Sequence, residues 1–179
     1  MITCQYAKTM AAYNEWMNTR LYTAAGGLSP GELAAERRAF FGSIIGTLNH
    51  VVVGDTLWLK RFALHPSAFP SLDPVRKLEM PVALDQILFS DLQGLFGRRT
   101  MLDGVILRWS EELTEDDLPQ IIAYTNMKGT PARKTLASLL VHFFNHQTHH
   151  RGQATTLLTQ AGEDVGVTDV LALVPDAES

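Results

Sequence analysis

The sequence predicts an all-α fold, a four-helix bundle. Three observations carry this expectation: four long segments with apolar residues at helical spacing, proline and glycine concentrated between those segments, and capping residues at their starts. The chain has 179 residues, 46% of them hydrophobic, enough for one domain with a buried core. A single domain over residues 1–179 is therefore expected, with no repeat, low-complexity tract or internal boundary.

The first helix is predicted from Gln5 to Ala25, where Met10, Tyr13, Met17, Leu21 and Ala24 fall on one face and no proline or glycine intervenes. Gly26-Gly27 ends it. Ser29-Pro30 then opens a short turn or helix, with Glu32 in the capping-box position. Ser43 caps the second long helix, predicted to run through Leu64 and stop before His65-Pro66. Residues 66–81 hold four prolines (Pro66, Pro70, Pro74 and Pro81), so a long irregular crossover over the surface is expected. Asp85 begins a third helix to Leu113, with Leu88, Leu92, Leu95, Phe96, Leu102, Ile106 and Trp109 inward. Asp116–Thr130 reads as extended, giving a short hairpin or crossing loop before the last helix. Pro131 is placed in the first turn of that fourth helix, which ends near Ala161-Gly162. The tail beyond Glu163 carries Val165, Val167, Val170, Leu171, Leu173 and Val174, which could dock on the helices. Trp16, Trp58 and Trp109 each fall on an apolar stripe and read as core.

Charge and cysteine content exclude several function classes. The formal net charge is −4 and the basic residues occur as isolated pairs, against the clustered cations of a nucleic-acid-binding surface. One cysteine, Cys4, permits neither an intramolecular disulfide nor a multi-cysteine zinc site. No apolar run is long enough to span a membrane, and the first residues lack the pattern of a signal peptide, so a cytoplasmic protein is expected. Charged residues make up only 19%, which hints at surface covered by a second copy and so at a homodimer.

Four of the six histidines lie within nine residues, His142 to His150. On a helical wheel His150 and His146 fall roughly 40° and 80° from the centre of the apolar face, while His142 and His149 fall about 120° and 140° away. His146 and His150 therefore flank the core, His149 faces outward and His142 is ambiguous. An i, i+4 pair places two imidazoles on one side of a helix, within reach of one ion. Two ligands leave a third to come from elsewhere. His50 is the best candidate, because it shares a side of the second helix with Gly46, Val53, Gly54 and Leu57, and the glycines permit close approach. Two other readings remain open on spacing alone: hydrogen-bonded core histidines, and a pH-sensitive surface patch.

Other polar residues are candidates for supporting roles. Asn14, Asn18 and Asn49 could accept the second ring N–H of a ligating histidine, or bond the backbone nearby. Asp55, five residues past His50, reads as structural, pairing with Arg151. Arg151 and Gln153 could alternatively reach a substrate or a partner copy. Gly152 in mid-helix suggests close packing by another helix. Tyr124 could overhang the site as a proton donor, or be core.

The segment Asn145-His146-Gln147-Thr148-His149-His150-Arg151-Gly152-Gln153 resembles the signature of the DinB (damage-inducible) family, within the DinB/YfiT-like metalloenzyme superfamily. Tyr13-Asn14-Glu15-Trp16-Met17-Asn18 is similar to that family's first-helix segment, and Gly42 to His50, followed by Asp55 and Leu57–Arg61, to its second. The resemblance covers almost the whole chain. It implies a metal held by His50, His146 and His150, commonly nickel or zinc, with His149 excluded and His142 of unassigned role. It also implies a bundle that is often dimeric, and a link to stress response. Some relatives transfer a low-molecular-weight thiol to a small electrophile. The resemblance thus implies a metal-dependent, thiol S-transferase-like enzyme; a non-catalytic metal-binding protein and a metal-dependent hydrolase are the alternatives.

Overall fold

The computed structural model describes residues 2–176, so Met1 and residues 177–179 of the predicted domain lie outside the described residues. It is mostly helical, with one small sheet. The long helices are α1 (Cys4–Ala25), α3 (Ile44–Phe62), α5 (Leu92–Glu112) and α6 (Leu136–Gln160). Short helices α2 (Pro30–Ala34) and α4 (Asp73–Arg76) lie in the connections. Helix α1 packs against α5 and α6, and α3 packs against α6 and α5, so each long helix borders two others.

The helix starts follow the side chains that can satisfy their free N–H groups. Thr3 accepts from the Tyr6 N–H. Ser29 and Glu32 form the reciprocal capping box at α2. Ser43 accepts from the Gly46 N–H at α3. The α1–α3 boundaries match the sequence expectation to within two or three residues.

Helix α5 differs. It begins at Leu92 rather than Asp85, because Asp91 takes the capping position and accepts the Gly94 N–H at 2.7 Å. Residues 84–90 are instead drawn onto α3. The Asn49 side-chain oxygen accepts the N–H groups of Leu88 and Phe89 at 2.8 and 3.1 Å, and its amide donates to the Phe89 carbonyl at 2.9 Å. A distant buried amide thus outcompetes local helix propensity. Phe96 is correspondingly not inward: it is 38% exposed and stacks on Tyr22.

The crossover also differs from a plain surface excursion. A 3-10 turn at Pro70–Leu72 runs into α4, and Phe69, Leu72 and Val75 are buried against the core. Proline at the first turn of each short helix is compatible with helix, since the missing N–H is an unpaired position anyway.

The fold is not purely α. Strands β1 (Ile121–Thr125) and β2 (Pro131–Thr135) pair antiparallel, with Ile121 opposite Thr135. Asn126 closes the turn by accepting the N–H groups of Lys128 and Thr130, and Gly129 adopts the left-handed φ of +79°. Pro131 therefore belongs to the hairpin and not to α6. Helix α6 starts at Leu136, capped by Thr135, and its first N–H groups bond the carbonyls of Gln120 and Leu118. Sheet bonding passes directly into the helix, which leaves no room for an earlier start.

In the tail, Val165 is buried and its carbonyl accepts from Arg20, while Tyr13 donates to the Thr168 carbonyl at 2.6 Å. Of the later apolar residues Val170 packs part-buried against the core, whereas Val167, Leu171, Leu173 and Val174 are exposed. Trp58 and Trp109 are core residues, whereas Trp16 is only half-buried, beneath Arg20. Among the described residues no helix is long and apolar enough to cross a membrane.

Candidate metal centre

Mid-way along α3, His50 faces the middle of α6, and the three predicted ligands meet there. The Nε2 atom of His50 lies 3.1 Å from Nε2 of His150 and 3.3 Å from Nε2 of His146. One nitrogen from each ring lies within 4.8 Å of the other two. Ring nitrogens bound tetrahedrally to one ion at about 2.0–2.1 Å stand roughly 3.3 Å apart. The spacing of these two pairs is compatible with a ligand set.

Tautomers follow from the partners on the opposite side of each ring. The Nδ1 of His50 is 2.7 Å from the Leu84 carbonyl, which can only accept, so the proton sits on Nδ1 and the Nε2 lone pair points inward. His150 is held in the same way, its Nδ1 2.8 Å from the Gln153 side-chain oxygen. The Nδ1 of His146 is buried without a partner. The inward lone pairs of His50 and His150 therefore face one another, an arrangement relieved by a cation or by a neutral His146 that carries its proton on Nε2.

An additional proton, which would charge a ring, is disfavoured there. Burial pushes the His146 imidazole down to about 3, and the neighbouring His150 and His50 add to the shift. Burial lowers His50 to about 4, against the opposing bond to Leu84, and His150 is lowered for the same main reason. At neutral pH all three rings are uncharged, the state in which imidazole ligates a metal. Three neutral imidazoles are a donor set suited to zinc, nickel or copper, so the group could hold a divalent ion.

Close packing makes this convergence possible. A Cβ at Gly54 would stand 2.8 Å from Cε1 of His146, so only glycine leaves space for the ring. At Gly46 a Cβ would collide with the Phe41 carbonyl. That approach brings the Phe41 ring flat onto His50, with centroids 3.8 Å apart and planes at 17°, and edge-on to His150. Phe41 thus forms an apolar wall beside the histidines. No periodicity marked it, because it lies in a loop.

The remaining predicted residues go elsewhere. Asn14 and Asn18 both donate to Asp103 at 2.9 Å and, among the described residues, form no hydrogen bond to a histidine. Asn49 acts one step removed, since it fixes residues 88–89 of the segment whose Leu84 carbonyl orients His50. Asp55 is fully buried, but its partner is Arg99 and not Arg151, because α5 presents Arg99 directly to it; Gln147 adds a bond at 2.8 Å. Arg99 also pairs with Asp103 at 3.0 Å. Burial opposes the charge on Arg99, and the flanking carboxylates of Asp103 and Asp55 outweigh it. Arg151 is buried, bonded to the Asn14 oxygen and lying over the Tyr13 ring, so its guanidinium is held against α1 and not beside the histidines. Gly152 packs against nothing: no atom lies within 4 Å of where its Cβ would be, since its side of α6 faces outward.

His149 is exposed, as the wheel indicated. His142 is outside the nitrogen cluster. It sits one turn before His146, with ring centroids 5.8 Å apart, and packs edge-on against Trp58. Tyr124 also lies against Trp58, as a packing residue of the hairpin. Sequence reasoning missed Arg99, Asp103 and Gln147. A signal was present: Arg99 continues the buried stripe of Leu95, Leu102 and Ile106, and Gln147 that of Phe143 and Ala154. A polar residue on such a stripe requires a buried partner.

The sequence pattern of the DinB family matches residues 1–177. The chain is also 26% identical to Protein DinB of Bacillus subtilis (strain 168) over 164 residues, covering 92% of this chain and 91% of the relative. No solved structure matches it significantly. The α3–α6 histidine cluster thus sits within a match that spans nearly the whole sequence, and the chain belongs to the DinB family.

Proposed function

We propose that this chain is a metal-dependent enzyme that acts on a small electrophile, with nickel or zinc held by His50, His146 and His150. The long helices α1, α3, α5 and α6 serve as a single-domain four-helix bundle around that ion. The observation that carries the reading is the convergence of three Nε2 atoms at 3.1 and 3.3 Å for two of the pairs. Membership of the DinB family and the donor set support it.

Three protein ligands leave at least one coordination position free. When bound, such an ion lowers the pKa of a thiol or water at that position and so supplies a nucleophile near neutral pH. The chain's own groups prepare the site. Leu84 and Gln153 fix the ring orientations of His50 and His150 and hold their protons on Nδ1. Phe41 shields the His50 face from water. A low-molecular-weight thiol is the co-substrate we favour, and thiol transfer the reaction.

Two measurements test this reading. Protein purified without a histidine tag and reconstituted with zinc or nickel should hold close to one equivalent, and His150→Ala should hold almost none. Conjugation of a thiol to an electrophile panel should exceed the His150→Ala background. Full metal occupancy without turnover of thiol, ester or amide substrates would instead favour a non-catalytic metal-binding role. Wild-type protein that takes up no metal would overturn the reading entirely.

A further inference from the structure

A second feature lies one helical turn from His146, toward the hairpin. Trp58 of α3, Tyr124 and Lys134 of the hairpin, and Ser138, Leu139 and His142 of α6 line a recess of about 340 Å³. Sites for small molecules are typically about 300–1,000 Å³, mostly apolar, with a few placed polar groups. Here the walls are rings and a leucine, and the polar groups are an ammonium, a hydroxyl and an imidazole.

The charge balance of the recess is one-sided. No carboxylate is among its lining residues. Arg61 is seated against two of the lining rings, its guanidinium carbon 4.6 Å from the Trp58 centroid and 4.8 Å from that of Tyr124. Its one hydrogen bond to the protein among the described residues is a long one, 3.4 Å to the Thr125 carbonyl. Neither Arg61 nor Lys134 forms an ion pair among the described residues. The Arg61 charge is close enough to His142 to disfavour its protonation, though burial is the larger cause. Partial burial likewise works against the Arg61 charge itself, with no carboxylate to compensate.

Two unpaired cations beside an aromatic recess are suited to an anion. Trp58 and Tyr124 stand edge-on to each other with centroids 5.4 Å apart, and Arg61 lies over both rings with most of its N–H groups free of protein acceptors, which suits the two oxygens of a carboxylate. We propose that this recess binds the carboxylate of a small organic anion through Arg61 and Lys134, with the apolar body of the anion against Trp58 and Tyr124. The inference deepens the reading of the histidine cluster as a reaction centre, because a molecule held in the recess lies one turn from His146. It assigns the substrate class as a carboxylate-bearing molecule with an apolar or aromatic portion.

The test uses metal-free full-length protein, so that failure of the metal reading and failure of this one can be told apart. Phenylacetate is titrated calorimetrically into the wild type and into Arg61→Gln and Lys134→Gln, with circular dichroism verifying that each variant is folded. Phenylacetamide and inorganic phosphate are titrated in parallel. Loss of a charge-assisted contact weakens binding by roughly tenfold or more, and the neutral amide should be weaker by a similar factor. Zinc uptake by Arg61→Gln should equal that of the wild type. No phenylacetate binding, equal binding of acid and amide, or no loss in Arg61→Gln would overturn the proposal. So would binding seen only in the zinc-loaded protein, which would mark the carboxylate as a metal ligand. Phosphate binding as tight as that of phenylacetate would overturn the carboxylate assignment.

Discussion

Gly54→Ala should move the stability and the metal affinity of this protein in opposite directions. The added Cβ would stand 2.8 Å from Cε1 of His146, against an ordinary contact distance of at least 3.4 Å. The ring must therefore withdraw by about 0.6 Å, whereas ligand positions in a metal site tolerate roughly ±0.2 Å. Without metal the withdrawal costs little. The Nδ1 of His146 has no partner to lose, and its Nε2 faces only the neighbouring histidines. Replacing a glycine inside a helix by alanine favours folding by up to about 1 kcal/mol. The metal-free variant should thus unfold at the same urea concentration as the wild type or a higher one. Its zinc affinity, measured by competition with a colorimetric chelator, should fall tenfold to hundredfold, as when a group that orients a ligand is lost. Affinity unchanged within about twofold would refute the role of Gly54. A metal-free protein destabilised by more than about 2 kcal/mol would show that the ring cannot retreat, and would refute the argument equally.

Other outcomes follow from the same geometry. His50 and His146 are lowered to about 4 and about 3, so the unfolded chain takes up protons first as pH falls below about 6.5. Metal-free protein should therefore be fully stabilised above that pH and lose stability from about 6.5 downward, read as a falling urea midpoint between pH 7.5 and 5. A His50→Gln variant should show a shallower fall, and a flat or rising wild-type midpoint would contradict the assignment of neutral buried rings. Arg99→Leu removes the cation between Asp55 and Asp103, and breaking a buried pair from one side costs about 3–5 kcal/mol; a loss under about 1 kcal/mol in urea unfolding would show that the carboxylates find other partners. A homodimer remains the expectation from the low charge content, and light scattering at micromolar concentration should report twice the chain mass of 19.8 kDa. A clean monomer would remove it.

What could be read from the sequence was what depends on local periodicity. The i, i+4 spacing of His146 and His150 survives in the structure because α6 is a regular helix across that stretch. Gly54, which the sequence placed beside His50, proved to be the residue that admits His146. What could not be read was set by contacts distant in the chain. The start of α5 is decided by an amide on α3, and that of α6 by carbonyls at 118 and 120. The sequence suggests Arg151 as the partner of Asp55 although Arg99 is the residue that meets it, because spacing along one helix says nothing about which partner helix faces it.

The two halves of the site are joined on α6. Within one turn and a half, His146 and His150 face His50 on α3, while Gln147 and Arg151, each one residue further on, are rotated by about 100° onto a buried polar cluster. Gln147 reaches Asp55 on α3 and Arg151 reaches Asn14 on α1, and Arg99 and Asp103 on α5 complete the cluster. If α6 turned by one residue, the buried guanidinium of Arg151 would lose its partner and the two imidazoles would leave the ligand position together. An apolar stripe alone tolerates such a rotation more readily, since hydrophobic contact is not directional. Buried charges do not, because each unpaired group carries its full desolvation cost. The cluster of Asp55, Arg99 and Asp103 would therefore act on the proposed metal centre at a distance, by fixing the rotation of the helix that carries two of its three histidines.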